Sequence, residues 1–297
     1  MLYEDCTLCP RNCHADRTAG NTGFCGMSHT VQVARASLHM WEEPCISGVK
    51  GSGTVFFSGC NLKCVFCQNH SIALGHKGRE VSVQKLADLY LMLQDKGAHN
   101  INLVTPSHYA PGIRDSLLLA KKQGLSLPVV YNTGGYDSLS ALALLDGLVD
   151  IYLPDFKYVS SAVSGRYSHA SDYFTVAKAS LAEMHRQVGA PLFDGDLLRR
   201  GIIVRHLILP GCTADSKEVI RYLYETYGNE IYISIMNQYT PLPHVEAYPE
   251  LNRKVTQEEY DEVVDFAIDL GVEQGFIQEG DTASESFIPD FDFTGLL

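Results

Sequence analysis

The chain reads as an α/β protein: a partial, open barrel of about six βα units behind a small cysteine-rich N-terminal extension. Three observations predict it. From Thr54 onward, short apolar runs alternate with stretches of helical period, the pattern of parallel strands covered by helices. Each apolar run stops at polar residues or glycine, and sites in such folds gather at the C-terminal ends of the strands. Eight of the nine cysteines lie between Cys6 and Cys67, a crowding that in a reducing compartment signals metal ligation rather than disulfides.

Bulk properties narrow the classes. With 297 residues and 45% hydrophobic content, the chain can bury a full core, as one large domain with an appendage or as two domains. Its net charge of -12 leaves no basic surface for counterion-driven binding, so nucleic acid is excluded as a non-specific partner. No apolar run approaches the roughly 18 residues of a membrane span, and Met1-Leu2-Tyr3-Glu4-Asp5-Cys6 lacks the basic start and apolar core of a signal peptide. A soluble, cytoplasmic chain without a membrane partner is expected.

Residues 1–50 are expected to form the extension and 51–297 the barrel. The extension carries Cys6-Thr7-Leu8-Cys9-Pro10-Arg11-Asn12-Cys13 and then Cys25, too little apolar material to order itself without help. Four thiolates suit structural zinc or an iron–sulfur cluster equally, and buried free thiols are the plain alternative. Val31 to Ala36 alternates like a short strand. Glu42 and Glu43 read as solvated carboxylates, with contact to a cofactor as the alternative this near the cysteine loop, and Cys45, without a partner at metal spacing, as a packed small residue.

Thr54-Val55-Phe56-Phe57 forms the first barrel strand. Ser82 caps a helix from Val83 to Lys96, closed by Gly97; Asn100 to Thr105 is a strand ended by Pro106; Ile113 to Gln123 is a helix stopped at Gly124. Strands at Leu127–Tyr131 and Val149–Leu153 flank a helix from Ser138 to Leu145. A helical stretch around Phe174 to Val188 precedes a strand from Ile202 to Leu209, a helix from Ser216 to Thr226 and a strand from Ile231 to Met236. Helix Thr256 to Leu270 and the run Glu273 to Ile277, an uncertain seventh strand, complete the set. The tail from Gln278 to Phe293 mixes acids with aromatics and could cap the barrel mouth.

The chemistry centres on Gly59-Cys60-Asn61-Leu62-Lys63-Cys64-Val65-Phe66-Cys67, a C-x3-C-x2-C loop directly after the first strand. A cube of four irons usually takes four cysteines, so three leave one iron open to something other than protein. This loop, down to the aromatic Phe66 before the last cysteine, resembles the motif of the radical S-adenosylmethionine (SAM) superfamily. Within it, Asn132-Thr133-Gly134-Gly135, Asp155-Phe156-Lys157 and Val204-Arg205-His206-Leu207-Ile208-Leu209-Pro210-Gly211 resemble the pyruvate formate-lyase activating enzymes and their glycyl-radical activase relatives, here with an extra N-terminal cysteine cluster. The second strand end departs, reading Thr105-Pro106-Ser107-His108 where many members carry Gly-Gly-Glu.

The resemblance implies a partial (βα)6 TIM-like barrel holding a 4Fe-4S cluster on Cys60, Cys64 and Cys67. SAM chelates its open iron and is cleaved by one electron to methionine and a 5'-deoxyadenosyl radical, which abstracts hydrogen from a substrate, in the activase case a protein or peptide. Phe66 falls where the family places an aromatic near adenine; Asn132, Asp155, Lys157 and Arg205 are the other cofactor contacts, although Arg205 could instead pair with a barrel carboxylate. An electron donor such as flavodoxin or ferredoxin is the implied partner. A small-metabolite substrate, or an inactive iron–sulfur or zinc-binding electron-transfer module, are the alternatives. Cys212 is a weak catalytic candidate, and His108, His206, Tyr239 and His244 are further polar residues near strand ends.

Overall fold

The computed structural model describes residues 2–278 and 289–296. Its strands are β1 (Val31–His39), β2 (Ser52–Phe57), β3 (Arg79–Val81), β4 (Ile101–Val104), β5 (Val129–Thr133), β6 (Ile151–Pro154), β7 (Leu192–Asp194), β8 (Leu197–Leu207), β9 (Tyr232–Met236) and β10 (Gly275–Ile277). They form one sheet in the order β10-β9-β8-β6-β5-β4-β2-β1-β3, with β7 paired to β8. Along the path from β2 to β10 every pairing is parallel, while β1 runs antiparallel to both β2 and β3 and β7 antiparallel to β8. The path ends at β10 and β3 without closing, so the α/β architecture is the open, mostly parallel one expected.

The uncertain run at 273–277 is a true edge strand, three residues paired in parallel with β9. So short an element carries too few residues for a period to show. Helix Ser161–Ser168 is absent from the sequence expectation because its Ser- and Gly-rich face has no apolar stripe. Ser160 caps it by accepting from the Val163 N–H, and His169 ends it in the left-handed region at φ 54°. Elsewhere local signals hold: the Ser82 side chain accepts from the Lys85 N–H, and Thr256 and Glu259 form a reciprocal capping box.

Period two divides the sheet into two faces. Outward residues such as Val55, Leu103, Tyr131, Tyr152 and Val204 join one large core with the covering helices. Inward residues Val130, Ile151, Leu153 and Ile203 pack instead against Cys45 and Ile46, so Cys45 is a packed residue as its spacing suggests. Above that apolar floor the inward positions turn polar, with Asn102 of β4, Arg205 of β8 and Ser234 of β9 all facing a shared interior.

The sheet runs across residue 50, since β1 pairs with β2 over Val33 to His39, and residues 2–30 are the part that lies outside it. At the other end, the Phe293 N–H donates to Ala34 O and the Ala36 N–H to Thr294 O, while Phe291 packs edge-on against Phe56 at 5.5 Å. Residues 279–288 of the tail assigned above to the barrel mouth lie outside the described residues. Among the described residues no helix is long and apolar enough to cross a membrane.

Candidate functional site

The loop after β2 turns sharply at Gly59, whose φ of +84° suits glycine. A Cβ there would stand 2.3 Å from Met27 Cγ and 3.0 Å from Cys25 O, so the N-terminal segment presses on the loop where only glycine fits. From this turn the three cysteines fan around one end of a cavity of about 480 Å³, within the size range of small-molecule sites. Donors already aim at the sulfurs: the Leu62 N–H reaches Cys60 Sγ at 3.3 Å, and the Ser168 hydroxyl reaches Cys64 Sγ at 2.9 Å. Burial pushes the Cys64 and Cys67 thiols above the usual thiol range, with Lys157 opposing it at both. A bound cation would displace those protons. Among the described residues no three His, Cys, Asp or Glu side chains close on one ion-sized point. Thiolates that each bind a different iron of a cube stand further apart than ligands of a single ion, so the donor set fits a cluster.

Opposite the loop, the ends of β5 and β6 contribute Asn132, Gly134, Asp155 and Lys157 to the same cavity. Lys157 Nζ donates to Asp155 Oδ2 at 2.5 Å and lies 5.9 Å from the centre of the Phe66 ring. Burial alone would lower the Lys157 pKa, but Asp155, and behind it the Cys64 thiol, hold it above the ordinary lysine range. The ammonium therefore stays charged in a buried setting, ready for an anion. Tyr173 ties these ends together, since its hydroxyl accepts from the Lys157 N–H at 3.0 Å and faces the carbonyls of Gly134 and Asp155 at 2.9 and 3.0 Å.

Residues 54–179 match the family model of the radical SAM superfamily. That segment is similar to the radical SAM superfamily. It is 27% identical over 279 residues to the uncharacterised protein MJ0674 of Methanocaldococcus jannaschii, covering 90% of this chain and 75% of that one. Its fold is similar to Streptococcus suis SuiB crystallised with S-adenosylmethionine, at a TM-score of 0.51 and 14% identity over 74% of this chain and 48% of that one. It is likewise similar to HydG, a maturase of the [FeFe]-hydrogenase, at a TM-score of 0.50 and 13% identity over 77% and 52%. The chain spans about half the length of these solved proteins.

The cavity collects Cys60, Cys64, Cys67, Phe66, Asn132, Asp155, Lys157 and Arg205. Arg205 arrives with partners. Its guanidinium pairs with Glu43 at 2.6 and 2.9 Å and also with Glu42, and Glu42 accepts from Asn102 Nδ2 at 2.7 Å. The sequence suggests solvated carboxylates at 42 and 43; their side chains are in fact 7% and 6% exposed, because the turn after β1 folds into the barrel and meets the inward face of β8. Burial pulls the Glu43 carboxyl upward, and Arg205 outweighs it, leaving the pKa below the ordinary range.

Cys212 stands outside the lining of this cavity, half-buried at the N-terminus of helix Thr213–Tyr227. Burial, then nearby Asp215, pushes its thiol up to about 11. His108 and His206 turn into backbone, on Ser58 O at 2.7 Å and Phe156 O at 2.8 Å, and burial lowers them to about 3 and about 4. Tyr239 donates to Leu251 O at 2.7 Å, and His244 stacks on His70 at 4.1 Å. Cys6, Cys9, Cys13 and Cys25 also lie outside the cavity lining.

Sequence reasoning missed Ser168, Tyr173, Glu42, Glu43 and Asn102. Ser168 is 104 positions from the thiol it touches, and no local pattern encodes that. Asn102 had a signal: an amide among apolar residues of a buried strand needs an internal partner.

Proposed function

We propose that this chain is a radical SAM enzyme that cleaves SAM reductively and takes a hydrogen atom from a protein or peptide, as glycyl-radical activases do. The observation that carries the reading is the convergence of three cysteines with donors on their sulfurs, a charged buried lysine and an aromatic ring in one cavity. When bound, the 4Fe-4S cluster supplies the electron that breaks the sulfonium–carbon bond of SAM and so yields the 5'-deoxyadenosyl radical. Cys60, Cys64 and Cys67 hold that cluster, with Leu62 and Ser168 stabilising the sulfurs' charge. Lys157, kept cationic by Asp155, is the site for the SAM carboxylate. Phe66, buried and edge-on to Tyr239 at 6.3 Å, offers a face for adenine, and Asn132 a polar contact beside it. Arg205 holds Glu42 and Glu43 in the cavity wall, so it acts on the cofactor mainly by shaping that wall.

The peptide class draws support from SuiB, which shares the fold at a TM-score of 0.50 and was crystallised bound to its precursor peptide SuiA. A small electron-carrier protein such as flavodoxin or ferredoxin is the electron donor in this reading. The test is anaerobic reconstitution followed by dithionite and SAM, with 5'-deoxyadenosine read by mass spectrometry. It should form with the wild-type chain and be lost in Cys64→Ala. A filled cluster that yields none refutes the enzyme reading.

A further inference from the structure

The N-terminal segment contains a cation whose counter-charge is missing from its neighbourhood. Arg17 is 0% exposed, and its guanidinium donates to Met27 O at 3.1 Å, Ser28 O at 2.6 Å and His108 O at 2.8 Å, all neutral carbonyls. Among the described residues no Asp or Glu forms an ion pair with it. It also lies over the Tyr3 ring at 4.6 Å and approaches sulfur, with Nη1 3.7 Å from Cys6 Sγ. A fully buried guanidinium facing neutral groups is costly, and an anion beside it removes the cost. Thiolates are the groups in place to supply one.

The other cysteines of the set lie near the same cation, without closing on one ion-sized point among the described residues. Cys6, Cys9 and Cys25 are buried. Cys13, the exposed member, lies over Gly23, where a Cβ would stand 2.3 Å from its sulfur.

We propose that Cys6, Cys9, Cys13 and Cys25 form a second metal centre held by four thiolates, either zinc or an iron–sulfur cluster, with Arg17 as its buried counter-ion. The centre braces the radical SAM loop from outside. Arg11, between two of its ligands, donates to Asn61 O at 2.8 Å and to Ser168 O at 3.1 Å; Met27 packs on Gly59; and Ser138 Oγ donates to Leu8 O at 2.9 Å. Among the described residues before Val31 the segment has turns but no helix or strand of its own, so metal ligation supplies the order that secondary structure does not.

The test is independent of catalysis. The full chain carrying Cys60→Ala, Cys64→Ala and Cys67→Ala is purified anaerobically, and its zinc, iron and acid-labile sulfide are counted per chain. About one zinc, or about four irons with matching sulfide, should remain, and the two results distinguish the metals. Adding Cys6→Ala and Cys9→Ala should remove that metal while the far-UV circular dichroism of the barrel is kept. A folded triple variant that retains neither metal overturns the proposal, as does metal that survives the N-terminal replacements. If the N-terminal replacements abolish folding, X-ray absorption on the triple variant decides: a sulfur first shell supports the centre, and a nitrogen or oxygen shell refutes it.

Discussion

Replacing Arg205 with Met should destabilise the apoprotein strongly, and in a way that grows with pH. The substitution keeps an apolar stem of similar length but strands two carboxylates that are 7% and 6% exposed. Breaking a buried pair by removing one partner costs about 3–5 kcal/mol, which for a chain of this size lowers the melting temperature by roughly 6–10 °C. The sign with pH follows from Glu43. In the wild type its folded pKa lies below the ordinary 4.5 because Arg205 outweighs burial, so the pair stabilises above that pH and the benefit fades in acid. Without Arg205 burial alone acts, the folded pKa rises above 4.5, and the penalty grows as pH climbs from there toward neutrality. Urea unfolding of Arg205→Met against wild type at pH 5 and pH 7.5 measures both effects. The triple variant Glu42→Gln, Glu43→Gln, Arg205→Met removes every charge at once and should recover most of the loss. A single variant within about 0.5 kcal/mol of wild type, or a triple no more stable than the single, refutes the buried-network account.

Three further outcomes are expected. Ser168→Ala deletes the hydroxyl donor on Cys64 Sγ, so the reconstituted cluster should titrate at a more negative potential in redox-poised electron paramagnetic resonance; an unchanged potential would mean that the contact does not persist with the cluster bound. Gly59→Ala puts a methyl group against Met27 at a φ of +84°, and should cost about 1–3 kcal/mol in thermal unfolding and lower iron uptake; wild-type stability would show that the turn relaxes freely. His108 and His206 are lowered from 6.5 to about 3 and about 4 by burial, so the unfolded chain takes up their protons first. Their contribution is complete above pH 6.5 and is lost as pH falls toward the folded values, about 2 kcal/mol per histidine by pH 5. The fall in stability from pH 7 to pH 5 should accordingly be shallower in His206→Gln than in wild type.

The barrel was legible where local forces decide. The apolar runs at Thr54, Ile101 and Ile231 became β2, β4 and β9, because a strand buried on both faces must be apolar almost throughout. The Ser82, Ser138 and Thr256 caps mark helix starts for an equally local reason. Errors cluster where the cause is distant. Strand β5 begins after Pro128, which has no N–H for the ladder, and it extends to Thr133, past the expected end, because its neighbour β6 runs on beside it. Helix Ser161–Ser168 has a weakly apolar face, and it is placed by contacts such as the hydrogen bond between Tyr158 and Ser168 at 2.8 Å.

The sequence by itself determined the alternating α/β order, the three-cysteine loop after the first barrel strand and the residue types able to meet a cofactor. Those properties reside in spacing and period, which a single strand, turn or helix expresses alone. Tertiary structure decided that Glu42 and Glu43 enter the barrel to meet Arg205, that Ser168 rather than a loop neighbour donates to Cys64, and that Arg17 is buried beside Cys6 and Cys25. In each case a charge or a polar hydrogen is taken out of water, and which distant group compensates it depends on how the elements pack.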